Sequence, residues 1–317
     1  MIYQNSVAVP SEALTDYVNE GATDTTAFKG LQLAPQIGVS SLSGTYPKVT
    51  IAKGDLMRAA NRRRAPGSNF NRWQSAIESG TLELKQIGEE QSVPDEIAMQ
   101  WDDYFDVEAM GADEALMRLR RGHEVEVAAA LMNSSNFTAA NGAVAYSSAN
   151  LTTIDLAADI FAAVAALNGR GITPDTVVIP YSIFTVARQA TKVQNFLVGA
   201  NGAGVQVTGN ALQRALTEFG ITNVVIPTVY VNRSDSDKAD VVEQIYPDDY
   251  IWVGKVGDGG LRAGGALRTA YWDKAGPLFN VSTYREEVKK QNVIRGEMTE
   301  SVIVTNARAG QLIATQV

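Results

Sequence analysis

The strongest periodic signal is a stripe of apolar positions at helical spacing in the first half of the chain. Phe105, Ala109, Ala112, Leu116, Leu119, His123, Val127 and Ala130 recur every three or four residues and predict one long helix over residues 106–132. At ~1.5 Å per residue such a helix spans about 40 Å. Arg118 and Arg121 fall on the other side, and Glu114 precedes Arg118 in the favourable i,i+4 order. Gly111 and Gly122 weaken the helix locally.

Alternation with period two marks strands on either side of this helix. "KVTIA" and "TLELKQI" predict the two sides of a β-hairpin arm within residues 46–95, with a turn at Pro66-Gly67. Residues 1–45 are rich in small polar residues and weak in periodicity, which predicts an extended segment that needs another surface to pack on. Beyond the long helix, "TTID" resembles a capping box opening a second helix over 152–169, with Gly169 available to end it. "DTVVIP" predicts a strand, "YSIFTVARQA" and "GNALQRALTEFG" predict helices, and "NVVIPTVYV" and "DDYIWVG" predict strands. "GKVGDGGLRAGGAL" is a glycine-rich loop, and the tail "LFNVSTYREEVKKQNVIRGEMTESVIVTNA" predicts long strands. Helices and strands mix without a regular βαβ repeat, so the expected class is α+β.

Charge adds a partner question. Arg58, Arg62, Arg63, Arg64 and Arg72 lie between the two hairpin strands with no acidic residue among them. Residues 83–103 then carry Glu83, Glu89, Glu90, Asp95, Glu96, Asp102 and Asp103 against Lys85 alone. A solvated surface is one reading. The other is that the two patches meet across copies of the chain, which makes Arg58, Arg62, Arg63, Arg64, Arg72, Glu89, Glu90, Asp95 and Glu96 candidate inter-subunit contacts. Leu116, Leu119, His123 and Val127 are the candidate packing face of the long helix.

Chemistry is sparse. The 317 residues contain one histidine and no cysteine, which excludes disulfides and thiolate sites. "HEVEV" places Val127 where a zinc-protease helix needs its second histidine, and no G-x-S-x-G elbow exists for a serine nucleophile. "VGKVG" and "GANGAGVQVTG" each lack positions that a phosphate-binding loop requires, and "DSDKAD" lacks the glycine and glutamate of a calcium loop. Acidic pairs such as Asp102–Asp103 and Asp248–Asp249 are too common at strand entries to signal acid–base work. These observations argue against an enzyme and call for no cofactor or metal. A net charge of −8 argues against general nucleic-acid binding. No apolar run approaches the ~20 residues of a membrane helix, and no secretory signal is apparent, so a soluble protein made in a reducing cytosol is expected.

The order of parts carries a resemblance. "RRRAPGSNFNRWQ" resembles the tip of the extended loop of a tailed-phage major capsid protein of the Hong Kong 97 type. "EEQSVPDEIAMQWDDYFDVEAMGADEALMRLRRGHEVEVAAALMN" resembles the run into that family's spine helix. "DTVVIPYSIFTVARQATKVQNFL" resembles the first strand and helix of its axial domain, and "DDYIWVGKVG" and "YREEVKKQNVIRGEMTESVIV" resemble its late strands. The resemblance implies an N-terminal arm at 1–45, an extended loop at 46–95, a peripheral domain from 96–170 with 285–317, and an axial domain at 171–284. It further implies hexamers and pentamers of an icosahedral shell around double-stranded DNA, assembled in a host bacterium's cytoplasm and ending in the virion. Portal and separate scaffold or decoration proteins are the partners implied, and no membrane. The family's type member carries a long cleavable N-terminal segment, whereas here the arm starts almost at Met1. It also crosslinks Lys to Asn between subunits; Lys48, Lys53 and Lys85 lie in the hairpin arm, but no motif assigns them a partner. A cellular nanocompartment shell of the same fold is the alternative reading, and a nucleotide-binding enzyme a remote one. Should His123 face a subunit contact, its protonation near pH ~6 would loosen the packing there.

Overall fold

The computed structural model describes residues 9–10, 27–49, 77–101, 106–198, 207–234, 237–257 and 264–316. In chain order these form β1 (Val9–Pro10), α1 (Gly30–Leu33), β2 (Gln36–Val39), β3 (Ser43–Val49), β4 (Ile77–Glu83), β5 (Lys85–Pro94), α2 (Asp95–Trp101), α3 (Val107–Leu131) and β6 (Thr138–Asn141). They continue with α4 (Leu156–Asn168), β7 (Thr176–Val178), α5 (Tyr181–Ala187), α6 (Thr191–Val198), α7 (Gly209–Thr217), β8 (Asn223–Val225), β9 (Tyr230–Asn232) and β10 (Val242–Gln244). The last elements are β11 (Tyr250–Gly254), β12 (Leu267–Trp272), β13 (Asn280–Glu286), β14 (Gln291–Val304) and β15 (Gly310–Ala314). The class is α+β.

Two sheets meet along the spine helix α3. In the larger, β14 runs antiparallel to β13, β12 and β5, while β2 adds parallel to β12 and β1 antiparallel to β13. In the smaller the order is β6-β15-β11-β7-β8. β9 pairs with β10, and β3 with β4, as two-stranded ribbons. Residues 85–94 therefore leave the β3–β4 ribbon and enter the larger sheet, paired with β14 from Lys85 opposite Glu300 to Pro94 opposite Gln291.

The spine helix starts where the Asp106 side chain accepts hydrogen bonds from the N–H groups of Glu108 (2.9 Å) and Ala109 (3.0 Å), satisfying two otherwise orphaned donors. Its first half packs Ala112, Leu116 and Leu119 with Val93, Ile294, Met298 and Phe279 over the larger sheet. Its last turns pack Val127, Ala128 and Leu131 with Leu33, Phe137, Trp252 and Leu312 of the smaller sheet's core. Helix and sheet approach closely because glycines line the contact. A Cβ on Gly296 would lie 3.1 Å from Leu119 Cδ1, and one on Gly111 would lie 3.0 Å from Ile294 Cδ1.

Three expectations change locally. The second helix is capped by Asp155, whose side chain accepts from Ala158 N–H at 3.1 Å, so it begins at Leu156 and not at Thr152; an aspartate available at the cap position displaces the threonine three residues before it. Residues 1–45 are not extended throughout. Residues 30–33 form a turn of helix that packs on its own chain, with Leu33 1% and Ala34 0% exposed. The helix "GNALQRALTEFG" ends at Thr217, and Gly220, at φ +90°, turns the chain into β8.

This packing sets a stability expectation. Leu119→Ala removes a buried side chain from the helix–sheet contact and should lower unfolding free energy by about 3 kcal/mol. Gly296→Val overpacks the same contact and should cost about 2 kcal/mol. Urea denaturation of the purified protein measures both.

Candidate functional site

The joint between the two cores of α3 is polar. Leu119 belongs to one core and Val127 to the other, and between them sit His123 (2% exposed) and Glu124 (0% exposed). A buried carboxylate is costly without donors, and Glu124 has three. The backbone N–H of Lys29 donates to Oε1 at 3.0 Å, that of Gly30 to Oε2 at 2.6 Å, and the Tyr246 hydroxyl to Oε1 at 2.7 Å. Burial, then the charge of Glu124, push the Tyr246 hydroxyl well above its ordinary value, so it remains a donor. His123, one residue earlier, points to the sheet: its Nδ1 lies 2.9 Å from Glu300 Oε1, both side chains being buried. The second ring nitrogen, Nε2, and the second Glu300 oxygen, Oε2, are buried without hydrogen-bond partners.

Gly30 closes the arrangement. A Cβ there would lie 2.8 Å from Glu124 Oε2, 2.9 Å from His123 Cδ2 and 3.0 Å from His123 Nε2. Only glycine lets the backbone approach both side chains at once. Glu126, two residues on, is half buried. Burial raises its carboxyl above the ordinary value of 4.5, the Glu300 charge adds to this, and Lys85 and His123 act the other way.

The acidic stretch is engaged within its own chain. Arg285 forks onto Asp95, with Nη1–Oδ1 at 2.5 Å and Nη2–Oδ2 at 2.6 Å, and these hydrogen bonds hold the Asp95 carboxyl below its usual range. Arg295 pairs with Glu90 at 2.6 Å and stacks over the Tyr284 ring. Arg118 lies 3.6 Å from Glu89 with both side chains well exposed. Glu96 is exposed on α2. Arg58, Arg62, Arg63, Arg64 and Arg72 lie outside the described residues, as do Asp102, Asp103 and Phe105. Leu116, Leu119, His123 and Val127 are each 2% exposed or less. His123 is thus enclosed by its own chain.

Among the described residues no group of three or more histidine, aspartate or glutamate side chains is placed to hold a metal ion, and no helix is long and apolar enough to cross a membrane. The sequence reading singled out His123 and missed Glu124, Glu300, Tyr246 and Gly30. The available signal was an acidic residue directly after a histidine on the apolar stripe, at the point where the stripe passes from one core to the next.

The raised Glu126 carboxyl gives a pH expectation. A folded-state value above the unfolded one contributes stability that is fully present below pH 4.5 and is lost as pH rises through the folded value. Glu126→Gln should therefore raise stability at pH ~7, by less than about 1 kcal/mol because the group is partly solvated. The gain should vanish by pH ~4. Urea unfolding at both pH values checks it.

No protein-family model matches the chain, and no curated protein sequence matches it. Solved structures do. A phage-related protein from Bordetella bronchiseptica is 18% identical, with a TM-score of 0.69 over 97% of each chain. The capsid of the cyanophage P-SCSP1u is 15% identical, with a TM-score of 0.56 over 89% of this chain and 86% of that one. A virus-like particle from Pyrococcus furiosus is 9% identical, with a TM-score of 0.54 over 95% of this chain and 96% of that one. Identities this low speak to architecture alone, and the architecture is plain: the chain has the tailed-phage major capsid fold of the Hong Kong 97 type.

Proposed function

We propose that the chain is the major capsid protein of a tailed bacteriophage, a subunit that self-assembles into hexamers and pentamers of an icosahedral shell enclosing double-stranded DNA. The observation that carries this reading is a capsid fold matched over most of both chains. Residues 1–45 are then the arm, 46–95 the extended loop with β5 returning from it into the sheet, 96–170 and 285–317 the peripheral domain, and 171–284 the axial domain.

The β3–β4 ribbon supports the reading. Among its described residues, Tyr46 and Leu82, with Leu84 next to it, are packed by their own chain against Ala270 and Ile303, and the Tyr46 hydroxyl donates to the Val304 carbonyl at 3.0 Å. Most other described positions of the ribbon are exposed. A two-stranded ribbon is marginal alone, and burial against neighbouring copies supplies what it lacks, as in obligate interfaces of several thousand Å². The net charge of −8 suits a wall that encloses DNA without gripping it, since each neutralised phosphate adds affinity. Exposed Glu96, together with the outward faces of Glu89, Glu90 and Asp95, offers carboxylates to Arg58, Arg62, Arg63, Arg64 and Arg72 of a neighbouring copy. Portal, scaffold and decoration proteins are further partners under this reading, with assembly in the host cytoplasm. The likeness to a virus-like particle also favours a second reading, a nanocompartment shell with protein cargo.

Electron microscopy and size-exclusion chromatography of the expressed chain, with its genome's other head proteins, should show capsomers or closed shells. A monomer under every condition refutes the proposal. Nuclease-protected double-stranded DNA inside purified particles supports the phage head, and a co-purifying enzyme supports the nanocompartment. Arg62→Glu, Arg63→Glu and Arg64→Glu together should abolish assembly while leaving circular dichroism unchanged.

A further inference from the structure

We propose that Gly30, His123 and Glu124 form a latch that couples the docking of an N-terminal strap, residues 27–39, to the seating of the spine helix on β14. The inference concerns the isolated subunit and stands whether or not the chain builds a shell.

The strap is held at two places. Glu124 takes the N–H groups of Lys29 and Gly30. Further on, β2 adds to the edge of β12, where the Thr269 hydroxyl donates to the Ala34 carbonyl at 2.8 Å and Thr269 N–H to the Pro35 carbonyl at 3.1 Å. Between these anchors Leu33 fills the core shared by Val127, Leu131 and Trp252. The first anchor is a buried charge with directional partners, so it has few intermediate states. Either the carboxylate holds both N–H groups or it must find water, and the site is closed to water while the strap is in place.

The coupling follows from adjacency. Successive residues on a helix point about 100° apart. His123 therefore reaches Glu300 on β14 while Glu124 reaches the strap, and Gly30 lies against both side chains. The ring already packs against Gly30, so a ring that leaves Glu300 disturbs the strap's contact with the helix as well. If α3 turns or lifts from β14, Glu124 is carried away from Lys29 and Gly30. The strap thus reports on the spine, and the spine on the strap, through one rigid turn of helix. The two unpartnered buried atoms, His123 Nε2 and Glu300 Oε2, mark where this contact is least satisfied.

Lys29 is the first lysine or arginine of the chain, so trypsin cutting after it releases residues 1–29 as a single peptide. The cut falls on the Lys29–Gly30 bond whose N–H Glu124 holds. In the full chain, kept as subunits, Glu124→Gln should speed release of this peptide at least tenfold. Glu300→Ala, which touches no strap residue, should speed it at least threefold. Release of peptides ending at buried Arg268 should not change, which separates strap opening from global unfolding. Should Glu300→Ala fail to fold, His123→Gln probes the coupling from the helix side with the same expectation. Unchanged release in Glu124→Gln overturns the latch. Faster release in Glu124→Gln with none in the Glu300 or His123 variant overturns the coupling. In the parent, hydrogen exchange of 27–39 should be slower than that of a free peptide and faster than that of β11. Exchange at the free-peptide rate, or only together with β11, overturns the strap as a unit.

Discussion

A carboxylate sealed from water at the middle of a long helix is the constraint around which this chain is arranged. Glu124 cannot be moved along α3 by a turn, nor the helix rotated, without stranding a charge that three donors from two distant segments now satisfy. That requirement fixes the register of α3 against the N-terminal strap and Tyr246. His123 fixes it against β14. Apolar packing on either side would tolerate small slips, because leucines and valines adapt to neighbouring hollows. The polar node does not.

The position of the node explains how one helix serves two cores. An unbroken apolar stripe would let α3 slide between the larger sheet and the core under β11 and β15. Placing hydrogen-bonding side chains where the stripe passes from Leu119 to Val127 divides it into two parts, each with its own partners. A buried polar pair is weak as a source of stability and effective as a specifier of register. That is the role consistent with the partnerless Nε2 and Oε2: the node is not optimised for binding strength.

What could be read in the sequence divides along the same physical line. Period 3.6 over 25 residues exposed the spine helix almost to its ends, because every turn repeats the same requirement for burial. Period two exposed β14, whose Ile294, Gly296, Met298 and Glu300 face the helix in alternation. The single histidine and the absence of cysteine narrowed the chemistry. Long-range polar satisfaction was not legible. His123 and Glu300 stand 177 residues apart, and nothing local to either announces that the histidine is shared with the sheet. Gly30 looked like one more small residue in a weak segment, since its role depends on two side chains more than 90 positions away.

The acidic run after the hairpin shows the same limit from the other direction. Counted along the chain, Glu89, Glu90 and Asp95 form a block of one sign facing a block of arginines, and the simplest pairing is between copies. In three dimensions β5 lies beside β14, and that single strand pairing brings Arg295 to Glu90 and Arg285 to Asp95 within the subunit. The exposed Arg295–Glu90 pair contributes little to stability, whereas the part-buried fork of Arg285 on Asp95 has the stronger, two-pronged geometry. They do neutralise part of the block, so the charge it would offer another copy under the proposed assembly is residual, on exposed Glu96 and the outward faces of its neighbours. Residual charge of this kind steers and orients more than it holds. The exposed positions among the described residues of the β3–β4 ribbon are polar too, Ser43, Thr45, Glu78, Ser79, Thr81 and Glu83 among them, so under the proposed assembly the ribbon would meet a neighbour through polar contacts that orient it.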